Sequence, residues 1–431
     1  MTASVRIQRL FLYDDETARG WLPFSVTRPV GEMLYGTRTL RASAERLWGV
    51  RCEGHLAGER LIGFAEAGAP PCIPGDEVGA DGGKLFLCSR FAVRGSGDPA
   101  DFGEATVLLA DVGDAGMRTD AGGPTGDGQP VGAWIPDGSA PRRGLLEGDW
   151  SSWEEWRSWP SVAVAGELIE SPWMLMRGNP GRIAGDAGSF APSDAPAGVV
   201  RVGDAPLCIG DGAVVEPGSV IDTTKGPLVI GEGARIMAPC RVSGPTFIGA
   251  HSVVLGGTLT ASSIGPRCKV RGEIESSIVL GYSNKAHDGF VGHAVLGRWV
   301  NLGALTTNSD LKNSYGPVRS QAGGRRVETG LTKAGCLIGD HVRTGIGTLL
   351  DTGAVVGAGS NVFGGTLAPR EVPPFSWCGP EGAVDYEIDR FLETAGRVMG
   401  RRGCEPGEGM RRLYRRIFRE TGSQRGGEAH S

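Results

Sequence analysis

Branched apolar residues recur every six positions along the second half of the chain. Ile209, Val215 and Ile221 stand six apart; Ile230, Ile236, Val242, Ile248 and Val254 continue the beat, followed by Ile264 and Val270. Phe290, Leu296 and Leu302 form another block, and Ile338, Thr344, Leu350, Val356 and Val362 close the series. Seventeen of these eighteen positions are apolar, and neither a helix, with a period of about 3.6, nor a half-buried strand, with a period of about 2, produces that spacing. A six-residue period fits a coil in which each hexad is one short strand plus a corner, three hexads to a turn, with one side chain per hexad pointing inward. Glycine follows the apolar residue at Gly210, Gly231, Gly249, Gly265, Gly339 and Gly357, so a residue without Cβ is expected to permit the corner backbone. A β-sandwich with glycine-rich turns is the bland alternative, but sandwich strands do not hold this phase for five repeats.

Breaks in the phase predict insertions: three residues near 223–225, four between Val254 and Ile264, and two between Val270 and Phe290. The largest runs from Gly303 to about Cys336. It is polar and turn-rich (TTNSDLKNSYG, then QAGGRR) and reads as a loop excursion from the coil; long loops inside repeat domains tend to carry function.

The first 198 residues lack the beat. Arg6–Tyr13 reads as a buried strand ending in Asp14-Asp15, and Thr37–Trp48 has helical spacing. Gly113–Gly132 reads as a surface loop. Trp150, Trp153, Trp156 and Trp159 recur every three residues, as a helical turn with a core or interface stripe would. Ala184–Gly198 has the composition of a linker. After the coil a proline-rich stretch (APREVPPFSW) leads to a helical tail. Its apolar face is Tyr386, Ile388, Phe391, Leu392, Ala395 and Val398, and the basic segment RRLYRRIFRE follows. Such a segment suits a neighbouring surface or solvent better than a membrane.

Composition narrows the class. Glycine, at 72 of 431 residues, is more than double its usual share of about 7%, which suits tight β corners. The formal charge of -5 gives no reason to expect nucleic acid or an anionic membrane as partner. Nine scattered cysteines with no C-x-x-C pair argue against a disulfide framework or a zinc cluster. With no signal-peptide pattern at the start and no run of about 18 apolar residues, the cytoplasm is the expected location.

Three stretches carry a resemblance. They are GYSNKAHDGFVGHAVLGRWVNLGALTTNSDLKNSYG, TGLTKAGCLIGDHVRTGIGTLLDTGAVVGAGSNVFGG and VPPFSWCG. All are similar to a GlmU-like family of bacterial sugar nucleotidyltransferases, an alternative form of the bifunctional N-acetylglucosamine-1-phosphate uridyltransferase/glucosamine-1-phosphate acetyltransferase. The opening FLYDD…WLPFSVTRPVGEMLYGTRTLR resembles that family's first motif, and Ser171-Pro-Trp173 with Asn179 and Asp186 resembles its last N-terminal segment. The likeness is strong over 264–378 and weak over 50–165. It implies an α/β nucleotidyltransferase-like domain over residues 1–198 and a left-handed parallel β-helix over 199–366, with its excursion at 303–336. The proline-rich segment and C-terminal helix then occupy 367–431. A homotrimer that uses sugar phosphate, nucleoside triphosphate and coenzyme A is also implied.

Acetyl transfer to a sugar amine needs a base for the ammonium proton, and imidazole titrates near neutral pH. The resemblance assigns His287 as base, Glu273 as its orienting carboxylate, and Asn301 and Asn308 as binders of the sugar or acyl group. A backbone N–H near Thr306 or Gly345 would serve the thioester oxyanion, with acetyl-CoA along the later coils near Gly345 and Gly364. Phe290 stands where the family's substrate tyrosine does and Glu275 where it has a lysine, leaving Arg267, Lys269, Arg271 and Lys285 as phosphate candidates. His287, His293 and His341 also raise a zinc site shared between subunits, although His287 and His293 enclose five residues where such sites enclose four. In the N-terminal region the usual glycine-rich nucleotide loop is missing. Arg28 and Arg38 are expected to grip a triphosphate, and Asp14, Asp15 or Asp111 to bind Mg²⁺. A single-activity enzyme with the other domain degenerate, or a trimeric scaffold without chemistry, is the competing reading.

Overall fold

The computed structural model of the chain describes residues 7–95, 102, 104–111 and 128–425. Most of the glycine-rich stretch expected as a loop, up to residue 127, lies outside the described residues, and Pro130–Ile135 beyond it is a strand.

The N-terminal domain is built on a mixed seven-stranded sheet. Its strands are β1 (Arg9–Tyr13), β2 (Cys52–Leu56), β3 (Lys84–Cys88), β4 (Phe91–Val93), β5 (Thr106–Asp111), β6 (Pro130–Ile135) and β7 (Ser161–Leu168), in the order β2-β1-β3-β6-β5-β7-β4. Strand β1 runs parallel to both β2 and β3 and is buried from Leu10 to Tyr13, as an unbroken apolar run in a parallel centre should be. Helix α1 (Leu40–Trp48) begins where Thr39 caps it, its hydroxyl accepting from Ala42 N–H. The four tryptophans do not make an α-helical turn; a 3₁₀ segment, Glu154–Ser158, sits among them. Their stripe is nonetheless core: Trp153 is buried, Trp150 and Trp153 stack at 5.4 Å, and Trp150 Nε1 donates to the Tyr13 hydroxyl at 2.9 Å.

The first part of the expected linker is helix. Helix α2 (Pro172–Asp186) starts at Ser171, whose hydroxyl caps Met174 N–H, with Pro172 in the first turn where no N–H is needed. Asn179 Oδ1 accepts from Gly36 N–H and Asp186 Oδ2 from Thr37 N–H. The Gly36-Thr37-Arg38 segment is thus pinned to α2.

Beyond it lies a parallel β-helix. One face stacks nine strands in strict order, from Leu207–Ile209 to Glu371–Val372. The hexad residues fill the interior: Ile221, Ile236, Val242, Ile248, Ile264, Ile338 and Val356 are all fully buried in one core. Phe290 is an exception, being only half-buried, because Val291 takes the inward position in register with Ile274. Lys285 also holds an inward position, in register with Val270.

The glycines after the hexad residues serve a purpose other than the expected one. None has positive φ; they are required because the next turn lies too close. A Cβ on Gly249 would stand 2.7 Å from the Gly265 carbonyl carbon, and one on Gly265 would stand 2.3 Å from the Leu280 oxygen. The left-handed corner falls two residues later and is occupied by His251, Arg267, Trp299 and His341 as readily as by Gly233 or Gly359.

The excursion leaves later than its polar composition implied. Thr307–Asn308 still pairs with Leu349–Leu350. Only then does the chain depart, forming the hairpin Arg319–Ala322/Arg325–Glu328 before Leu337–Ile338 resumes the ladder. The coil also continues through Ser376–Gly379, with Val372 and Cys378 in its core.

The C-terminal tail folds as α3 (Ile388–Gly400) and α4 (Glu408–Glu420). Phe391, Leu392, Ala395, Leu413, Tyr414 and Ile417 share one core with Leu61 and Phe64 of the N-terminal domain and Phe375 of the coil. Among the described residues no helix is long and apolar enough to cross a membrane. One coil face is packed just as firmly: Val229, Phe247, Ile278, Val295 and Leu337 meet Leu34, Tyr35, Leu175 and Met176. Charge completes this junction. Arg28 is buried between Asp340 of the coil (2.8 Å) and Glu66 (2.7 Å), while Thr27 Oγ1 donates to Asp340 at 2.7 Å.

Candidate functional site

His287 stands at a coil corner, between the short strands Asn284–Lys285 and Phe290–Gly292. The corner backbone is clamped from both sides. Lys285 Nζ donates to the His287 carbonyl at 2.6 Å, and Glu273 N–H donates to the Gly289 carbonyl at 3.2 Å. From the following turn Leu305 N–H donates to the Asp288 carbonyl at 2.9 Å. The His287 imidazole itself is exposed and has no partner among the described residues. Glu273 does not contact it; it lies one ladder step from Phe290 on the adjoining face.

Lys285 differs most from its expected part. It is buried at 4% exposure, and burial pulls its ammonium down to about 8, with Asp288 opposing that shift. It supports the His287 loop from inside the coil and offers nothing to a phosphate outside it. Asn308 is likewise buried and occupied: its amide accepts from Gly292 N–H at 3.0 Å and donates to the Gly292 carbonyl at 2.9 Å. Asn301 is exposed, bridged to Asn284 at 3.4 Å, which in turn accepts from Arg402 of the tail.

Near Thr306 and Gly345, where an oxyanion donor is expected, the N–H groups of those two residues are themselves spent. Thr306 N–H donates to Gly303 and Gly345 N–H to Val362. Gly364 is fixed by its positive φ and by Pro380, which a Cβ would meet at 2.5 Å. Ile346, next to Gly345, has no acceptor for its N–H among the described residues. It belongs to an open apolar edge on the same side of the coil, with Leu305, Ile346 and Leu367 exposed at 58%, 73% and 61%.

Two of the three histidines of the zinc reading are engaged within the chain. His341 is buried against Trp299 with Nε2 bonded to the Tyr414 hydroxyl at 2.9 Å, and burial pulls its imidazole down to about 4. His293 is held at Nδ1 by Asp310 at 2.7 Å. Lys333, at the end of the excursion, reaches Glu275 at 3.8 Å, so this carboxylate receives a cation from elsewhere in the chain.

In the N-terminal domain the acidic pair is used internally. Asp14 is fully buried, accepts from Ser89 Oγ and Val30 N–H, and burial raises its carboxyl above the ordinary value. Asp15 caps the short helix Glu16–Arg19 and pairs with Arg90 at 2.9 Å. Asp111 is exposed at the end of β5. No group of three or more potential metal ligands occurs among the described residues, and Asp14 and Asp15 already have partners within the fold. Arg28 is not available to a triphosphate: burial opposes its charge, but Asp340 and Glu66 hold it above its ordinary value. Arg38 instead lines a cavity of about 580 Å³ beside α2. A second cavity, about 940 Å³, opens beside Leu56 at the end of β2 and carries more carboxylates (Glu16, Glu59, Asp76, Glu147, Asp149) than arginines (Arg19, Arg143). Sequence spacing had no means of finding either cavity, whose walls come from segments far apart in the chain.

No family model matches the chain. It is 33% identical over 100 residues to a bifunctional sugar-1-phosphate nucleotidylyltransferase/acetyltransferase of Sulfurisphaera tokodaii, covering 23% of this chain and 25% of that one. It is 29% identical over 210 residues to the bifunctional protein GlmU of Thermobifida fusca, covering 43% and 39%. The chain thus spans well under half the length of these curated relatives. Among solved structures, an Arabidopsis UDP-N-acetylglucosamine acyltransferase overlaps 48% of this chain and 77% of its own, at 15% identity and a TM-score of 0.21, too loose a likeness to carry an argument. By sequence, the relatives this chain resembles are bifunctional GlmU-type sugar-1-phosphate nucleotidyltransferase/acetyltransferases.

Proposed function

We propose that the chain is a bifunctional-type sugar-phosphate transferase. On this reading the coil transfers acetyl from acetyl-CoA to the amine of an amino-sugar phosphate. The N-terminal domain transfers a nucleotidyl group to a sugar 1-phosphate, and the product is a nucleotide sugar of the UDP-GlcNAc kind. The observation that supports the coil activity best is the His287 corner, a partnerless imidazole on a backbone clamped from both sides beside an open apolar edge.

In the acetyl step the amine nitrogen attacks the thioester carbonyl carbon and the C–S bond breaks. The nitrogen's proton passes to His287, and the thiolate leaves as coenzyme A after taking a proton. Lys285 holds the loop that carries the base. Ile346 N–H, unlike those of Thr306 and Gly345, is free to meet the developing oxyanion. The apolar edge from Leu305 to Leu367 suits the arm of coenzyme A or an adjacent subunit of a homotrimer. Asn301 and Glu273 are exposed groups for the acceptor, on turns neighbouring that of His287.

A second reading, in which only the coil is catalytic, is favoured by Asp14, Asp15 and Arg28 being committed within the fold. Two assays on the full chain separate the possibilities. His287→Ala should abolish acetyl transfer to amino-sugar phosphates, and a wild-type rate in that variant would remove His287 as base. Pyrophosphate release from a panel of NTPs and sugar 1-phosphates supports two activities; silence across the panel leaves the coil alone.

A further inference from the structure

The cavity beside α2 lies at the β4 edge of the sheet, whereas the acidic cavity opens by β2, the strand at the opposite edge. Four guanidinium groups line it, those of Arg38, Arg46, Arg94 and Arg182, against the carboxylates of Glu167 and Asp186. Four positive charges less two negative leave two in excess. The carboxylates are already shared among them, and Asp186 also faces Arg38 at 3.8 Å. Asp186 already serves Arg182 at 3.0 Å and both Thr37 donors, and Glu167 serves Arg94 at 3.0 Å and the Tyr35 hydroxyl. Arg46 is exposed and has no partner among the described residues. Arg38 is held below its ordinary value first by burial and then, against Asp186, by the like charges of Arg46 and Arg182. An anion between these groups would relieve that crowding, and the planar guanidinium fork matches phosphate oxygens in pairs.

Size and surface then limit the ligand. At about 580 Å³ the cavity falls within the range of about 300–1,000 Å³ typical of small-molecule sites, far more than one phosphate fills. Along α2 and just beyond its end, Cβ atoms built on Gly181, Gly185 and Gly188 would meet nothing within 4 Å, so this wall is open and smooth. Ala92 and Val93 add apolar surface, and Ser43 and Ser189 add hydroxyls.

We propose that this cavity binds a phosphate monoester of about the size of a nucleoside monophosphate, at a site separate from the His287 corner of the coil. The inference depends on neither transferase reading.

Calorimetry on the full chain, with UMP, AMP, inorganic phosphate and uridine as probes, tests it. The nucleotides should bind saturably and more tightly than inorganic phosphate, and uridine should not bind. Arg46→Glu, at an exposed position, should weaken nucleotide binding at least about tenfold, the worth of one charge-assisted contact. Gly181→Leu, which projects into open space, should block it. Arg143→Glu, in the acidic cavity, should leave it unchanged. The proposal is overturned if no nucleotide binds saturably, if uridine binds as well as UMP, or if Arg46→Glu binds like the wild type. Should Gly181→Leu fail to fold, Arg46→Glu decides alone. Loss of binding in Arg143→Glu with retention in Arg46→Glu would place the ligand in the other cavity and equally overturn the assignment.

Discussion

Lys285 places an ammonium inside a prism of branched apolar side chains, and replacing it tests how the His287 corner is held. Burial moves its pKa from 10.5 to about 8, so keeping the proton in the folded state at neutral pH costs about 3 kcal/mol. The bond from Nζ to the His287 carbonyl at 2.6 Å returns about 1 kcal/mol. Lys285→Met, similar in length and apolar, should therefore unfold at higher urea near pH 7, by about 2 kcal/mol. The sign of the pH dependence follows from linkage. Between about 8 and 10.5 the unfolded wild type keeps a proton that the folded wild type has released. Its stability relative to the variant must rise with pH, and the gap must close by the upper end of that window. The same variant should lose acetyl transfer, because the backbone carrying His287 is no longer tied down from within. Urea titrations of both proteins at several pH values decide the matter. A variant less stable than wild type at neutral pH, or a gap that does not change with pH, would refute the reasoning.

Two other perturbations address the junctions. His341, neutral in the fold with a pKa of about 4 against 6.5, must be protonated in the unfolded chain first. Stability should thus fall as pH drops below about 6.5, by about 2 kcal/mol at pH 5, and His341→Phe should flatten urea midpoints over that interval; an unchanged slope would count against the assignment. Asp340→Ala strips Arg28, Thr27 and the Arg298 N–H of a shared buried acceptor and should cost about 3–5 kcal/mol, as breaking a buried ion pair does. A loss below about 1 kcal/mol by chemical denaturation would show that Glu66 alone suffices for Arg28.

The apolar beat determined the coil by itself, because a six-residue period has one architectural solution and its apolar residues, Phe290 aside, line the core or pack against it. It also gave the apolar face of the tail helix and the core role of the tryptophans, since periodicity reports which side of an element is buried. The resemblance supplied His287, which the structure leaves exposed at a coil corner.

What the sequence could not determine was the use each charged group finds. Arg28 and Asp340 are separated by 312 residues, and their meeting is decided only when a coil face docks on the N-terminal domain. Lys285 carries the residue type of a phosphate ligand but sits one ladder step from Val270, a register that the two-residue phase break concealed. Asn308, similarly, is a polar residue whose amide substitutes for backbone ladder bonds where the excursion leaves. The glycine corners make the same point. The need for glycine was legible in the spacing, whereas its cause, the approach of the next turn rather than left-handed backbone, is a distance between segments that only the stacked coil creates. Local periodicity fixes which face of each element is apolar; the partners of buried polar groups depend on how those faces meet, and that was settled by the tertiary structure alone.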